Sequence, residues 1–455
     1  MNTFHPDDFK KYRAIPWTLT HIALNNFFYI WTFGGSVFLL FLSELGLPKD
    51  QIGVLLSFFP FAGLLALGFS SLVAQWGRKR VYLLGYGIRK PVMGLLLCLP
   101  WLMAHAGRET ALIFLYAIIL TVAVLRAIAE TAYFPWLQEF VPNSVRGRYG
   151  ALSSVISIAT SLLALFIASR VIEHGEGLER YLFLIAAGVV IGLVGVAAMG
   201  MTPGGAPIPK AEAAPAFSVH LLETLQDRNY LYFLGGMGCY TLSAYMLGGF
   251  LPLYVKEQLG LAPSVVVLFD MAGMVGSALA SVCAGILADR VGSRPVMMPG
   301  LALSVLIPLG WLMNRANPAP AAGVSLFTDQ AALASAFLYF AYGAAASSAS
   351  LGASRLLFNG VIPFEKNTAY TAIYYAWAGL TGGIGPLLAG RLLSSLSGWQ
   401  VSAGFFTLDA FRLLFLVSLF GFVGGVILYG KVRPDGEYST RSAIRQLFAR
   451  GRQAS

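Results

Sequence analysis

The sequence predicts an all-α polytopic membrane protein in which twelve transmembrane helices form two related halves. Hydrophobic residues make up 57% of the 455 residues and charged residues only 11%, a balance too apolar for an ordinary soluble domain. The apolar residues fall into about twelve stretches, each long enough for a helix to cross a bilayer. These stretches lack the alternation of polar and apolar residues that membrane β-strands show, which favours helices.

The predicted helices, called span 1 to span 12 below, follow the limits of the apolar stretches. They cover residues 17–43, 51–75, 81–105, 111–139, 146–172, 179–201, 229–255, 264–289, 295–314, 328–358, 367–393 and 404–430. A Pro- and Gly-rich segment at 203–209 cannot continue a helix and separates span 6 from span 7. The predicted domains are a cytoplasmic amino-terminal segment (1–16), a first six-helix bundle (17–201), a cytoplasmic linker (202–228), a second bundle (229–430) and a basic cytoplasmic tail (431–455).

The distribution of positive charge predicts the orientation. The net charge is +10, and most of the 31 Lys and Arg residues fall in segments that are cytoplasmic if the amino terminus is inside. We therefore expect a multi-pass protein of the cell's inner (plasma) membrane with both termini in the cytoplasm. Because topology accounts for the charge, no nucleic-acid partner is expected.

Two short motifs recur at a constant distance along the chain. Gly34-Gly35 lies in span 1 and Leu45-Gly46-Leu47 just after it, and Gly248-Gly249 and Leu259-Gly260-Leu261 recur in and just after span 7, 214 positions later. Two matches at one offset indicate an internal repeat of about half the chain.

Charged residues cluster in the short loop predicted between spans 8 and 9, where the chain reads GILADRVGSR. This string resembles the G-x-x-x-D-R-x-G loop motif of the major facilitator superfamily. Its motif residues are Gly285, Asp289, Arg290, Gly292 and Arg294. A weaker copy, 215 positions earlier, contains Gly77 and Arg78 but has Ala74 where the acid belongs. With the repeat, the resemblance covers nearly the whole chain.

Membership of this family would imply two six-helix bundles that rock about a site at their interface, which is transport by alternating access. The resemblance also implies that Asp289 pairs with nearby cations and stabilises the state closed to the cytoplasm. Gly285 and Gly292 would permit close helix contact and a tight turn. Because Ala74 replaces the acid, the same role is not implied for the amino-terminal copy. In the alternative interpretation, the cations of both loops only set the topology.

In the family that the chain resembles, helices 1, 4, 7 and 10 line the solute cavity. Span 1 offers His21, Asn25 and Asn26 as candidates for solute contact, and the repeat aligns Asn26 with Tyr240 of span 7. Polar groups among aromatic walls supply directional hydrogen bonds to a solute. Single polar residues in membrane helices also join one helix to another, so both interpretations stay open.

Further candidates lie on spans 3, 10 and 11. Arg355, near the inner end of span 10, is a candidate for binding an anionic solute, and Tyr374 and Trp377 of span 11 could stack on a ring. A snorkelling arginine and aromatic packing are the alternatives. Arg89 and Lys90 are expected to reach lipid phosphates or a neighbouring helix.

Two acidic residues within the spans are candidates for proton coupling. Glu130 lies four residues after Arg126 on span 4, within ion-pairing distance on one helix face, and both are also candidates for the solute cavity. The family often carries an arginine in helix 4 that is tied to coupling. Asp270 lies about two turns into span 8 and is the second candidate. The alternatives are a static Arg126–Glu130 bridge and an Asp270 paired with Lys256 at the outer mouth.

The sequence lacks other signals of chemistry. No G-x-x-x-x-G-K-S/T phosphate loop and no metal-ligand spacing occurs, which disfavours ATP-driven pumping and metalloenzyme chemistry. We expect no cofactor, no bound metal and no enzymatic activity.

The expected function is that of a secondary active transporter working by alternating access. We expect proton-coupled uptake of a small polar organic solute such as a sugar or glycoside. Proton-coupled efflux of drugs or other amphipathic compounds is one alternative, and a non-transporting membrane sensor or lipid scramblase is another. The expected partners are the solute, protons and the lipid bilayer, and the protein is expected to be a monomer.

Overall fold

The computed structural model describes residues 6–207, 224–314, 329–363, 367–403 and 406–435, and it contains a helix within each of the twelve predicted spans. The chain divides into two compact units, Met1–Ala214 (unit 1) and Pro215–Ser455 (unit 2). Most of the predicted linker and tail, residues 208–223 and 436–455, lies outside the described residues. The assignment of bundles, cytoplasmic linker and cytoplasmic tail therefore stays a prediction.

Unit 1 contains spans 1 to 6. Span 1 consists of the helices Pro6–Thr32 and Gly35–Glu44, and span 3 consists of Arg78–Gly94, a 3₁₀ turn at Leu95–Cys98 and Leu99–His105. The remaining spans are the continuous helices Lys49–Trp76 (span 2), Arg108–Phe140 (span 4), Arg146–His174 (span 5) and Glu179–Gly200 (span 6).

Unit 2 contains spans 7 to 12. They are the helices Arg228–Glu257, Pro263–Val291, Arg294–Met313, Gln330–Leu356, Asn367–Ser395 and Ala410–Gly430. Span 10 ends in a π-helical turn at Leu357–Val361. Before span 12, the strands β1 (Gln400–Ala403) and β2 (Phe406–Asp409) pair as an antiparallel hairpin.

The helices are long enough to cross a bilayer. Nine stretches of the described residues are both long and apolar enough to do so. The other three, spans 2, 7 and 11, have 28, 30 and 29 residues. At 1.5 Å per residue these helices exceed the roughly 30 Å of a hydrocarbon core. The fold class predicted from the sequence is confirmed.

Two predicted boundaries are wrong. The first helix begins at Pro6 rather than at residue 17. Acidic residues in the first turn of a helix stabilise it, but an apolar stretch does not include them, so hydropathy alone places the start of the helix too late. Span 12 begins at Ala410 rather than at 404, because the hairpin occupies the apolar residues before it. The Asp409 carboxylate accepts the Arg412 backbone N–H at 2.9 Å and caps the helix start.

The repeated glycines show how far the two halves agree. Gly46 and Gly260, just after spans 1 and 7, have φ angles of 71° and 69°, a conformation that glycine adopts without steric cost. The other repeated pair differs, because the chain breaks span 1 at Gly34 whereas Gly248 lies within a continuous helix. The repeat therefore preserves the turn and not the break.

Helix packing repeats as well. In unit 1, span 1 packs against spans 5 and 6, span 4 against spans 2 and 3, and span 3 against span 6. In unit 2, span 7 packs against spans 11 and 12, span 10 against spans 8 and 9, and span 9 against span 12. The second set is the first shifted by six spans, which confirms that the two units are repeats of one six-helix arrangement.

Candidate functional site

Two cations and an amide meet inside unit 1 where spans 1 and 3 pack together. Lys90 Nζ donates to Asn25 Oδ1 at 2.7 Å, and Arg89 Nη2 donates to the same oxygen at 3.3 Å. Both cations are fully buried and contact aromatic rings. Of the two expectations for this pair, contact with a neighbouring helix is the one observed. Asn25, a candidate for solute contact, serves here as the acceptor for these cations.

Arg126 and Glu130 form the ion pair expected from their spacing. Arg126 Nε donates to Glu130 Oε1 at 2.7 Å, and the two side chains are 36% and 44% exposed. The pair lies at least ten residues from either end of span 4, whose helix covers Arg108–Phe140. A half-exposed ion pair thus occupies the middle of a membrane-spanning helix.

His21 and Asn26 join helices within unit 1. The buried His21 ring has Nδ1 2.8 Å from the Gly195 carbonyl and Nε2 2.7 Å from the Tyr82 hydroxyl. A carbonyl only accepts, so Nδ1 carries the proton, and in the neutral ring the Tyr82 hydroxyl donates to Nε2. The Asn26 amide donates to hydroxyl and carbonyl oxygens of span 5 at 3.0–3.1 Å. This geometry favours the helix-contact interpretation, and a role in solute binding stays a prediction.

The aromatic candidates of unit 2 also contact neighbouring helices. Trp377 Nε1 donates to a backbone carbonyl of span 7 at 2.9 Å, and its ring covers Gly238, where a Cβ would lie 2.6 Å from Nε1. Tyr374 packs on span 7, and the Tyr240 ring lies 5.4 Å from that of Phe422 in span 12. These side chains tie spans 7, 11 and 12 together, which is the packing interpretation.

In unit 2, Asp289 of the loop motif forms an ion pair with Arg355, a residue predicted above as a candidate for solute binding. Arg355 Nη1 donates to Asp289 Oδ1 at 2.6 Å. Span 10 packs along span 8, so the carboxyl-terminal end of span 10 brings Arg355 to the loop. Arg355 binds the Asp289 carboxylate here, and its use for an anionic solute stays a prediction. Arg290, the next motif residue, is exposed.

The same loop fastens the end of span 12. The Ser293 backbone N–H donates to the Asp435 carboxylate at 3.0 and 3.3 Å, and the Arg294 guanidinium donates to the carbonyls of Gly430 and Val432. The turn depends on Gly292, whose φ is 88°.

Gly285, the first glycine of the motif, does not make the close helix contact expected from the resemblance. A Cβ at this position would have no described atom within 4 Å. Because the space beside it is open, a larger side chain fits there in this structure.

The weaker copy in unit 1 holds an ion pair although Ala74 replaces the acid. The Arg78 guanidinium pairs with Glu139 at the carboxyl-terminal end of span 4, and Glu139 also accepts the Gly205 backbone N–H at 2.6 Å. Lys79 Nζ donates to the Thr202 carbonyl after span 6 at 2.7 Å. Sequence reasoning missed Glu139. The available signal was its position at the carboxyl-terminal end of span 4, which corresponds to that of Arg355 on span 10.

Asp270, the second candidate for proton coupling, lies partly buried on span 8. It precedes Gly273, where a Cβ would come within 3.2 Å of the Tyr339 carbonyl of span 10. Asp270 therefore lies about one helical turn before this close approach of the two helices, and its coupling role stays a prediction.

Comparison with known proteins identifies the family. Residues 233–451 match the family model described as Major Facilitator Superfamily. No curated protein sequence matches the chain at a significant level. The family match covers most of unit 2, whose helix packing unit 1 repeats.

Solved structures share the fold across both units. A mutant form of the nucleoside transporter NupG aligns with a TM-score of 0.69 and 13% identity over 93% of this chain and 99% of its own. A bacterial homologue of the iron transporter ferroportin in an inward-facing state gives 0.67 and 13% over 93% and 98%. A D-xylose–proton symporter gives 0.64 and 14%, again over 93% and 98%. At these identities the likeness shows the fold alone, and with the family match over residues 233–451 it shows that the chain has the fold of the major facilitator superfamily.

Proposed function

We propose that the protein takes up a small polar organic solute, such as a sugar or glycoside, together with protons by alternating access. It acts in the cell's inner membrane with both termini in the cytoplasm and needs no cofactor. One of the structures that share its fold is a D-xylose–proton symporter, which supports this class of activity.

The observation that carries the proposal is the Arg126–Glu130 pair. Charged groups in the middle of a membrane-spanning helix are too costly to face lipid, so they face the protein interior or a water-filled pathway. Both side chains are more than one-third exposed, so the pair is not enclosed by unit 1. It is therefore suited to contact a solute or protons in a pathway lined by span 4.

Proton coupling is proposed at this pair or at Asp270. A proton that changes the charge of the ion pair alters the free energy of one facing state relative to the other, as any coupled ligand must. The hydroxyl groups of a sugar would replace hydrogen bonds that water makes to the two charged side chains.

A ligand screen tests the solute class. A solute that binds only the folded protein raises its apparent melting temperature, so detergent-purified protein is heated with sugars, glycosides, organic acids, peptides and cationic drugs. Stabilisation by a sugar or glycoside supports uptake of that class. Stabilisation by drugs alone contradicts it and favours efflux. Lipid flipping by the purified protein in vesicles, without movement of any solute, would indicate a scramblase.

Substitution of the ion pair separates its role from general stability. We expect Glu130→Gln to abolish the sugar-dependent increase in melting temperature, because the neutral amide no longer holds Arg126. Glu173→Gln is the matched control, since Glu173 pairs with Arg170 at the same 2.7 Å near the end of span 5. Equal ligand responses in both variants would remove the Arg126–Glu130 pair from the proposal.

A further inference from the structure

Arg89 and Lys90 of span 3 carry adjacent positive charges in the interior of unit 1. Their exposed fractions are 1% and 0%. A buried charge is costly unless an opposite charge or several hydrogen bonds compensate it. The groups that compensate these two charges therefore decide whether both side chains can stay protonated.

The compensation is incomplete. One oxygen, Asn25 Oδ1, accepts hydrogen bonds from both cations, and Arg89 Nε has no acceptor. Lys90 Nζ lies 3.4 Å from the centre of the Phe28 ring, and the Arg89 guanidinium carbon lies 4.0 Å from the centre of the Tyr86 ring. Rings attract cations but do not neutralise them. Within the described residues, no ion pair joins either cation to a carboxylate.

The neighbouring charges leave the cluster with a net positive charge. Arg126 of span 4 is close enough to repel Arg89, and Glu130 is close enough to attract it. His21 of span 1 lies on the other side, hydrogen-bonded to Tyr82 in the neutral form described above. Together the cluster holds three basic side chains and one carboxylate.

Span 6 packs closely on the stem of the lysine. A Cβ at Gly192 would lie 3.0 Å from Cδ and Cε of Lys90 and 3.0 Å from Cβ of Phe28. Without a carboxylate paired to either cation, the loss of a proton is one way in which the cluster can reduce its charge.

The side chains differ in their ability to lose one. The two guanidinium groups keep their protons in proteins. A lysine amine, in contrast, readily changes its protonation state when it is buried. We propose that Lys90, in place of the Arg126–Glu130 pair or Asp270, is the group that binds and releases the coupling proton.

The exchange involves one proton. The Lys90 amine takes up a proton from water when its surroundings open and returns it to water as they close, and the neutral amine keeps N–H bonds with which to donate to Asn25. Loss of this charge removes repulsion from Arg89, which lies beside the Arg126–Glu130 pair. The solute pathway on span 4 thus senses the proton through Arg89.

This inference rests on the proton coupling proposed above, but its test needs no solute. The chain has nine lysines, so a ¹³C label at lysine Cε gives a spectrum simple enough to titrate in detergent-purified protein. The Lys90 signal is the one missing from Lys90→Met, or from Lys90→Arg if the methionine variant does not fold. Lys431, exposed after span 12, provides the comparison signal.

We expect the Lys90 signal to shift at a pH well below the value of about 10.4 at which free lysine titrates. A Lys90 signal that stays constant up to pH 9 overturns the proposal. If that signal titrates but no solute is ever transported, the assignment of Lys90 holds and the proposed function fails.

Thermal stability supplies a second readout. A lysine that is neutral in the folded chain and protonated in the unfolded chain takes up a proton on unfolding, so raising the pH stabilises the folded state. The melting temperature of the wild type should therefore rise relative to that of Lys90→Met from pH 6 to pH 9. Parallel pH profiles of the two proteins would contradict the proposal, and Lys431→Met should follow the wild type.

Discussion

Asp289 and Arg355 show how single residues of the loop motif act in this chain. Their ion pair is 2.6 Å long, but the Asp289 side chain is 70% exposed. An exposed pair contributes only about 0–1 kcal/mol to stability. The role expected for this pair from the family resemblance, stabilisation of one facing state, stays a prediction. In unit 1 the polarity is reversed, because the cation Arg78 is on the loop and the acid Glu139 is on the span.

Exchange of the two charges tests this role. We expect Asp289→Asn and Arg355→Gln each to slow transport several-fold with little change in melting temperature, because either variant removes the same pair. The double variant D289R/R355D should recover most of the rate, since it restores the pair with reversed polarity.

Uptake measured in proteoliposomes compares these variants, with Arg290→Gln of the exposed neighbouring residue as the control. A double variant slower than both single variants would show that Asp289 and Arg355 act separately.

At the scale of the elements, spans 8 and 10 approach so closely that only glycine fits between them. A Cβ at Gly343 would lie 1.9 Å from the carbonyl oxygen of Gly273, and one at Gly276 would lie 2.1 Å from the carbonyl oxygen of Phe340. This contact holds the loop motif of span 8 beside the carboxyl-terminal end of span 10.

Two alanine substitutions compare the stability effect of a glycine at this helix contact with that of a glycine in the loop motif. Gly343→Ala should lower the free energy of unfolding by about 1–3 kcal/mol, because the added methyl overlaps backbone atoms that cannot move freely. Gly285→Ala, a change in the motif itself, should leave stability within about 0.5 kcal/mol, because the space beside it is open. Melting temperatures of the purified variants measure the difference. Equal destabilisation by both would contradict the described packing.

At the scale of the whole molecule, the sequence was sufficient for the fold because hydropathy and the repeat report on helix number and order. The pair Gly46 and Gly260 was found from sequence spacing and has the same backbone conformation in both units. The hairpin before span 12 was missed because its apolar residues read as the start of a helix.

Side-chain partners depend on contacts that spacing along the chain does not encode. Arg355 meets Asp289 across 66 positions, so no local pattern could show that this arginine was already bound. Arg89 and Lys90 are adjacent cations that sequence reasoning directed towards lipid or a neighbouring helix, and the structure buries them against span 1. Only the i, i+4 pair Arg126–Glu130 was predictable, because one helix turn fixes its geometry.

The most direct test of proton-coupled uptake is proton movement on addition of solute. Purified protein in vesicles that contain a pH-sensitive dye is given the sugar or glycoside that stabilises it most in the ligand screen, with no pH gradient imposed. We predict that the interior acidifies as the solute enters, and that Glu130→Gln abolishes the signal whereas Glu173→Gln keeps it. Solute entry without any change in internal pH would contradict the account.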